Sequence, residues 1–264
     1  MRAAGFFDEL GNSRDRRVEE LARRVLKGIW SEMRENAARG ANSGRGLDLL
    51  AKQLVALRSA LKTKALEVHL VGHSAGSILL GHLLKRLATP AGAAAPVEIS
   101  SCSLYAAACS VEFALEHYLG ATSSVLPIRK LHLDYLSDRN EKDDYLGGVG
   151  ALHLYGKSIL YLVSRALLDV RKTPLLGFER ALDPAFANDA NQWSESQLAN
   201  LKQWQAAFKG SKHCVTAPSV PINKKGKTQQ AQHGSFDNNV DVIGATIARI
   251  SGKKPVKPIE WLDY

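Results

Sequence analysis

A serine between two glycines is the residue of this sequence that is best suited to covalent chemistry. The segment Gly72-His73-Ser74-Ala75-Gly76 has the pattern G-x-S-x-G. In that pattern a tight, strained turn from a strand into a helix lifts the serine hydroxyl above the edge of a sheet. Small residues at both ends of the turn let the strand and the helix approach closely. We therefore predict that Ser74 is a nucleophile rather than only a helix N-cap.

A serine hydroxyl needs a base to take its proton and a carboxylate to orient that base. His233, in the segment QHGSFDN after the last predicted strand, is the predicted base. Four carboxylates follow an earlier predicted strand: Asp138, Glu141, Asp143 and Asp144. Asp138 is the first choice because it comes directly after the strand. Asp143 and Asp144 remain open alternatives, and Glu141 is the weaker one.

The negative charge that forms on the substrate oxygen also needs hydrogen-bond donors. The free N–H groups at the start of a helix favour negative charge. A helix is predicted directly after Ser74, so the backbone N–H of Ala75 is the predicted oxyanion donor.

Apolar periodicity places these residues on alternating strands and helices. Predicted strands cover about residues 66–71, 97–109, 128–136 and 212–220, and predicted helices cover about 14–38, 47–65, 75–87, 110–120, 155–168, 194–210 and 239–251. The segments 137–144 and 221–232 are predicted as a polar turn and an exposed loop. Such alternation indicates an α/β fold with a mostly parallel sheet flanked by helices. The chain then divides into a helical segment over 1–65, a core over 66–252 with a cap at about 170–210, and a tail over 253–264.

Three short segments together resemble the α/β-hydrolase superfamily of serine hydrolases. They are VGHSAG after a strand, LSDRN after a later strand, and HGSFDN near the end, spread over roughly residues 66 to 250. The resemblance implies a triad of Ser74, His233 and an acid, with an acyl-enzyme intermediate and neither cofactor nor metal. It also implies esterase- or lipase-like activity on a small ester, lipid or amide.

The sequence departs from that superfamily before residue 66. Several strands normally precede the nucleophile, and a loop after one of them supplies a second oxyanion donor. Here the first 65 residues are predicted as two helices, so either the sheet is shortened or this chain is the C-terminal part of a longer protein. The loss of one donor would cost about 3 kcal/mol of transition-state stabilisation. An exposed sheet edge would also need a protein partner or a second copy. A truncated or non-catalytic domain that binds a partner is therefore the alternative function.

Composition excludes several other classes. The net charge is +9, but the basic residues are dispersed and accompany no nucleic-acid recognition motif. Three cysteines with no close pair predict neither a disulfide framework nor a zinc site.

The acidic N-terminal region does not fit a signal peptide, and no run approaches the roughly 20 apolar residues of a membrane span. We therefore expect a cytoplasmic protein. The segment Gly156-Lys157-Ser158 lacks the upstream glycine of a phosphate-binding loop, since residue 151 is alanine, and no strand is predicted before it.

Overall fold

The computed structural model describes residues 2–61, 66–89, 97–119, 124–149, 152–186, 193–223, 225–257, 259 and 262. Its centre is a four-stranded parallel sheet. The strands, in sheet order, are β1 (His69–His73), β2 (Ser101–Tyr105), β3 (Leu131–Leu136) and β6 (Ser211–Val215). Two antiparallel hairpins lie outside it, β4 (Leu146–Val149) with β5 (Leu152–Tyr155) and β7 (Ser219–Pro221) with β8 (Thr228–Gln230). The predicted α/β class with a mostly parallel sheet is confirmed.

Helices cover the sheet and fill the connections between parallel strands, as parallel pairing requires. They are α1 (Arg2–Val25), α2 (Lys27–Gly40), α3 (Gly46–Leu61), α4 (Gly76–Ala88), α5 (Val111–His117), α6 (Asp138–Asp143), α7 (Ile159–Leu162), α8 (Glu179–Leu182), α9 (Glu195–Ala207) and α10 (Val240–Ser251). A π-helical turn, Val163–Leu167, continues α7. The predicted helix over 14–38 is present as α1 and α2, which meet at Leu26.

The middle strands are buried on both faces, as is usual in parallel sheets. Every residue of β2 is buried, and so are five of the six residues of β3. β1 is an edge strand, because among the described residues it pairs only with β2. No strand precedes β1 in the described part of the chain, as the sequence predicts for the first 65 residues.

The N-terminal helices pack directly on the core. Glu19 of α1 accepts hydrogen bonds from the hydroxyl of Tyr155 (3.0 Å) and from Arg171 (2.6 Å). One turn earlier, Asp15 pairs with Lys157 and accepts a hydrogen bond from the backbone of Gly156 (3.0 Å). Both carboxylates are almost fully buried. Buried charges need such partners, so these contacts fix α1 against the β4–β5 hairpin and the π-helical turn.

Three local predictions are wrong. The segment 137–144 is mostly helical (α6) rather than a turn, because Ser137 caps the helix and Lys142 pairs with Asp138 one turn earlier. The segment 221–232 is not only loop, since it contains β8 and the end of β7. A strand, β5, does stand before the Gly156-Lys157-Ser158 segment. That segment nevertheless serves packing, because Lys157 pairs with Asp15 and Ser158 caps α7.

No helix in the described residues is both long enough and apolar enough to span a membrane.

Candidate active site

Ser74 occupies the strained turn that its sequence pattern predicts. It lies between β1 and α4 with a φ angle of +53°. Residues other than glycine rarely adopt this left-handed conformation, which costs on the order of 1–3 kcal/mol and persists only where the surroundings enforce it. Only two other non-glycine residues in the described chain, Ala106 and Lys172, have positive φ. The backbone at Ser74 is therefore held in a left-handed turn between β1 and α4, as the G-x-S-x-G pattern predicts. We call this turn, from His73 to Gly76, the elbow.

The two glycines of the motif have different roles. A Cβ atom at Gly72 would lie 2.8 Å from Cδ1 of Leu80 and 3.2 Å from the carbonyl carbon of Gly76. Gly72 therefore allows β1 and α4 to approach each other, as predicted. A Cβ atom at Gly76 would meet nothing within 4 Å. At that position glycine leaves open space beside Ser74 rather than relieving a clash.

Hydrogen bonds from other segments hold the Ser74 backbone. Its N–H donates to the carbonyl of Tyr105 at the end of β2 (2.9 Å). Its carbonyl accepts from the N–H of Ala108 (3.1 Å) and from the hydroxyl of Ser77 (2.7 Å), which in turn accepts from the N–H of Cys109 (3.1 Å). The sequence did not identify this supporting role of Ser77 and the 106–109 loop, because small residues in a row carry no pattern that indicates it.

The N–H of Ala75 is available for an oxyanion. It makes no hydrogen bond with any described residue, and Ala75 is the N-cap of the thirteen-residue helix α4. A free N–H beside the serine is the kind of donor that an oxyanion hole uses.

His233 lies beside the elbow. Its carbonyl is 2.9 Å from Nε2 of His73, and the two imidazole rings stack with centroids 4.9 Å apart. His73 directly precedes Ser74, so the structure brings the predicted base to the end of β1 that carries the predicted nucleophile. Burial, and then the charge of His73, lowers the pKa of His233 to about 3. The ring is therefore neutral at physiological pH, but its pKa lies well below the operating pH near which a general base is most effective. Its Nδ1 atom is buried without a hydrogen-bond partner among the described residues.

Asp144 is the carboxylate that contacts His233. Its Oδ2 atom accepts the backbone N–H of His233 (2.9 Å), and Oδ1 accepts the N–H of Tyr145 (2.7 Å). Asp144 is 5% exposed, and burial raises its pKa despite these two hydrogen bonds. The carboxylate thus holds the chain at His233 without bonding to the imidazole ring.

Asp138, the first choice from sequence, has other partners. Its carboxylate accepts from the hydroxyl of Tyr161 (2.5 Å), from Arg180 (2.8 Å) and from Lys142 (2.6 Å). Burial alone would raise its pKa, but the three donors together lower it. These bonds join α6 to α7 and α8. Asp138 makes no hydrogen bond to His233 in the structure.

Asp143 and Glu141 do not contact His233 either. Asp143 is exposed and pairs with Arg139 (3.4 Å). Glu141 is fully buried, and its carboxylate accepts a hydrogen bond from the hydroxyl of Ser158. Burial raises the pKa of Glu141 to about 8, so this group is protonated at neutral pH. A protonated carboxyl group does not stabilise an imidazolium ion, which argues against Glu141 as the triad acid.

An apolar cavity of about 480 Å³ adjoins the elbow. Ala75 and Gly76 form the wall next to Ser74, and Trp30, Met33 and Ala37 of α2 form the opposite wall. A cavity of this size and lining is typical of small-ligand sites.

The predicted cap and a further histidine–carboxylate pair lie away from the elbow. In the region proposed as a cap, Phe178 and Trp193 are buried, and neither lines the cavity beside Ser74; residues 187–192 lie outside the described part of the chain. His213 meets a carboxylate, because its Nδ1 lies 3.0 Å from Asp134. Arg249 of α10 binds the same carboxylate, so this pair links the sheet to α10.

The described residues contain no cluster of histidine, cysteine or acidic side chains that could hold a metal ion. Comparisons of the chain with protein-family models, with curated proteins and with solved structures find no match. The function must therefore be argued from the site itself.

Proposed function

We propose that the protein is a serine hydrolase that cleaves an ester through an acyl-enzyme intermediate. The observation that carries the proposal is the left-handed backbone of Ser74 (φ +53°) between a parallel strand and a helix. Such strain is uncommon and marks functional turns. The neighbouring free N–H of Ala75 and the adjacent His233 supply two further groups that acyl transfer needs.

The chemistry assigns a role to each group. Ser74 Oγ attacks the ester carbonyl carbon while an imidazole nitrogen of His233 takes its proton. The Ala75 N–H stabilises the negative charge on the carbonyl oxygen. Collapse of the tetrahedral intermediate expels the alcohol, which receives the proton from His233. A water molecule, activated by the same imidazole, then releases the carboxylic acid and restores the Ser74 hydroxyl.

We assign the acid to Asp144 in preference to Asp138. Asp144 already contacts the backbone of His233, whereas the carboxylate of Asp138 is fully used by Tyr161, Arg180 and Lys142. In this proposal the Asp144 carboxylate turns from the backbone N–H to the unpartnered Nδ1 atom when the site engages a substrate. Catalytic hydrogen bonds are often formed only in the complex.

Labelling with a fluorophosphonate probe tests the proposal, because the probe reacts with activated serines. We expect one label on the wild-type protein and none on Ser74→Ala or His233→Ala. Ser59→Ala is the matched control, since Ser59 is exposed on α3 and should not change the labelling. Absence of any label on correctly folded wild-type protein would refute the proposal.

A second candidate function is a hydrolase-like domain without activity that binds another chain along β1. The free edge of β1 and the exposed apolar side chains near it favour this candidate. Val71 and Leu79 are 47% and 44% exposed, and Ile29 and Met33 of α2 are 56% and 50% exposed. Exposed edges and apolar patches commonly mark binding surfaces. In that case we expect no labelling, together with self-association that Val71→Lys abolishes in sedimentation measurements.

A further inference from the structure

The cavity beside Ser74 continues into a second, polar cavity. The second has a volume of about 670 Å³ and lies between α2 and the later turns of α4, where His82 and Lys85 form part of its wall. Arg34 and Ile78 line both cavities. At 1.5 Å rise per residue, the α4 wall from Ala75 to His82 is about 10 Å long. The two cavities together form a cleft that is apolar beside Ser74 and polar at its far end.

The carboxylates on the wall of the polar cavity are already paired. Glu116 pairs with Lys85 (2.5 Å), Asp169 with Lys27 (2.7 Å) and Glu35 with Arg39 (2.7 Å). Arg86, a second cation on this wall, is also paired, because its guanidinium binds Asp48 (2.6 Å).

Arg34 is different. It is half-buried and has no ion pair or hydrogen bond with any described residue. Nearby histidines do not add charge, since burial lowers the pKa of His82 to about 4 and also lowers that of His117. Arg34 is thus the one cation of this wall without a direct ion pair among the described residues, and its charge acts on Asp169 only at longer range. A guanidinium suits a carboxylate.

A further polar group in the cleft lacks a partner. The side chain of Trp30 is 9% exposed and lines the apolar cavity, and its indole N–H is buried without an acceptor among the described residues. Buried indole N–H groups usually have a partner. A ligand with an oxygen along its length would supply one.

We propose that this cleft binds the acyl part of the substrate, and that the substrate is an ester of a dicarboxylic acid whose free carboxylate binds Arg34. The inference rests on the proposed hydrolase function. In this arrangement the ester carbonyl lies at Ser74 and the alkyl chain lies between Trp30 and Ile78. The second carboxylate reaches the junction of the two cavities, where Arg34 lies.

Hydrolysis of two matched esters tests the proposal. The probes are the mono-para-nitrophenyl ester of octanedioic acid and the neutral para-nitrophenyl ester of octanoic acid. We expect Arg34→Gln to lower kcat/KM for the dicarboxylic ester by about tenfold or more, because a hydrogen bond to a charged group is lost. For the neutral ester, kcat/KM should change by no more than about twofold. Arg34→Lys should restore part of the loss. Arg24→Gln, which removes the same charge from an exposed position on α1, is the control.

Measurements of binding in the absence of catalysis distinguish the hydrolase proposal from the cleft proposal. Octanedioate and octanoate are titrated into the wild-type protein and Arg34→Gln, with tryptophan fluorescence and calorimetry as readouts. If neither ester is cleaved but octanedioate binds in an Arg34-dependent manner, the hydrolase proposal fails and the cleft proposal stands. If Ser74-dependent cleavage occurs but Arg34→Gln alters neither selectivity nor binding, the cleft proposal is overturned.

Discussion

Ser74 and His233 lie at the same end of the sheet, but the fold holds them in different ways. Backbone hydrogen bonds from β2, from the loop after it and from Ser77 fix the strained conformation of Ser74. The chain at His233 is fixed through Asp144 and His73, whereas Nδ1 of its ring has no partner among the described residues. The proposed nucleophile is therefore held by the fold itself, while the orientation of the proposed base depends on a contact that the structure does not contain.

The largest expected effect on catalysis is at Asp144, which holds the chain at His233. If its carboxylate turns to the imidazole ring during catalysis, Asp144→Asn should lower kcat by between about a hundredfold and ten-thousandfold, as loss of a triad acid does. Asp143→Asn, at an exposed site that pairs with Arg139, is the matched control and should be nearly neutral. Steady-state kinetics measures both. A larger kinetic loss in Asp138→Asn than in Asp144→Asn would contradict the assignment.

Glu141 in α6 tests how the stability of the protein depends on the protonation of a buried carboxyl group. Its folded pKa is raised from 4.5 to about 8, so the folded state holds a proton that the unfolded state has released between these values. The stabilisation is complete below pH 4.5 and is lost as the pH rises to about 8, at up to about 1.4 kcal/mol per pH unit. We expect the free energy of unfolding in urea to fall over this range, and Glu141→Gln to flatten the fall. An equal fall in the variant would show that another group is responsible.

The elbow can be disturbed without changing a chemical group. Gly72→Ala brings a methyl group to 2.8 Å from Leu80 and 3.2 Å from Gly76, so we expect a loss of about 1–3 kcal/mol in the free energy of unfolding, together with weaker labelling of Ser74. Gly76→Ala is the matched control, because its methyl group meets nothing within 4 Å and should leave stability near that of the wild type. Equal stability of the two variants would show that β1 and α4 do not pack as described.

The smallest expected effect on stability concerns His213, whose pKa can be compared directly with that of His233. The hydrogen bond that His213 donates to Asp134 raises the pKa of His213 above its ordinary 6.5, whereas burial and then His73 lower that of His233 to about 3. Titration of the imidazole signals by NMR should therefore place His213 above His233. The stabilisation from His213 is present below pH 6.5 and is lost as the pH rises through its raised pKa. It should be under about 1 kcal/mol, because the side chain is 55% exposed. A His233 pKa above that of His213 would mean that a carboxylate already meets its ring.

Much of this architecture could be predicted from local sequence. The four parallel strands follow from apolar runs bounded by turns, and the elbow follows from Gly72 and Ser74 between a strand and a helix. The predictions failed where polar sequence forms regular structure. Ser137 and the Asp138–Lys142 pair turn an apparently irregular segment into a helix, and the β7–β8 hairpin has no apolar alternation to indicate it.

The sequence by itself indicated the turn at Ser74, because Gly72 and Gly76 flank the serine between an apolar strand and an apolar helix, whereas hydrogen bonds from Tyr105 and Ala108 hold its strained backbone. It also determined the order in which the serine, the carboxylates and His233 follow their strands. Only the tertiary structure decided which carboxylate meets His233 and which cation of the cleft, Arg34, makes no direct ion pair with a described residue. Asp144 accepts a hydrogen bond from the backbone of His233, which lies 89 positions later in the chain. Asp138 instead accepts one from Arg180, which lies 42 positions later. Such pairings depend on how separate elements pack, and no local pattern encodes them.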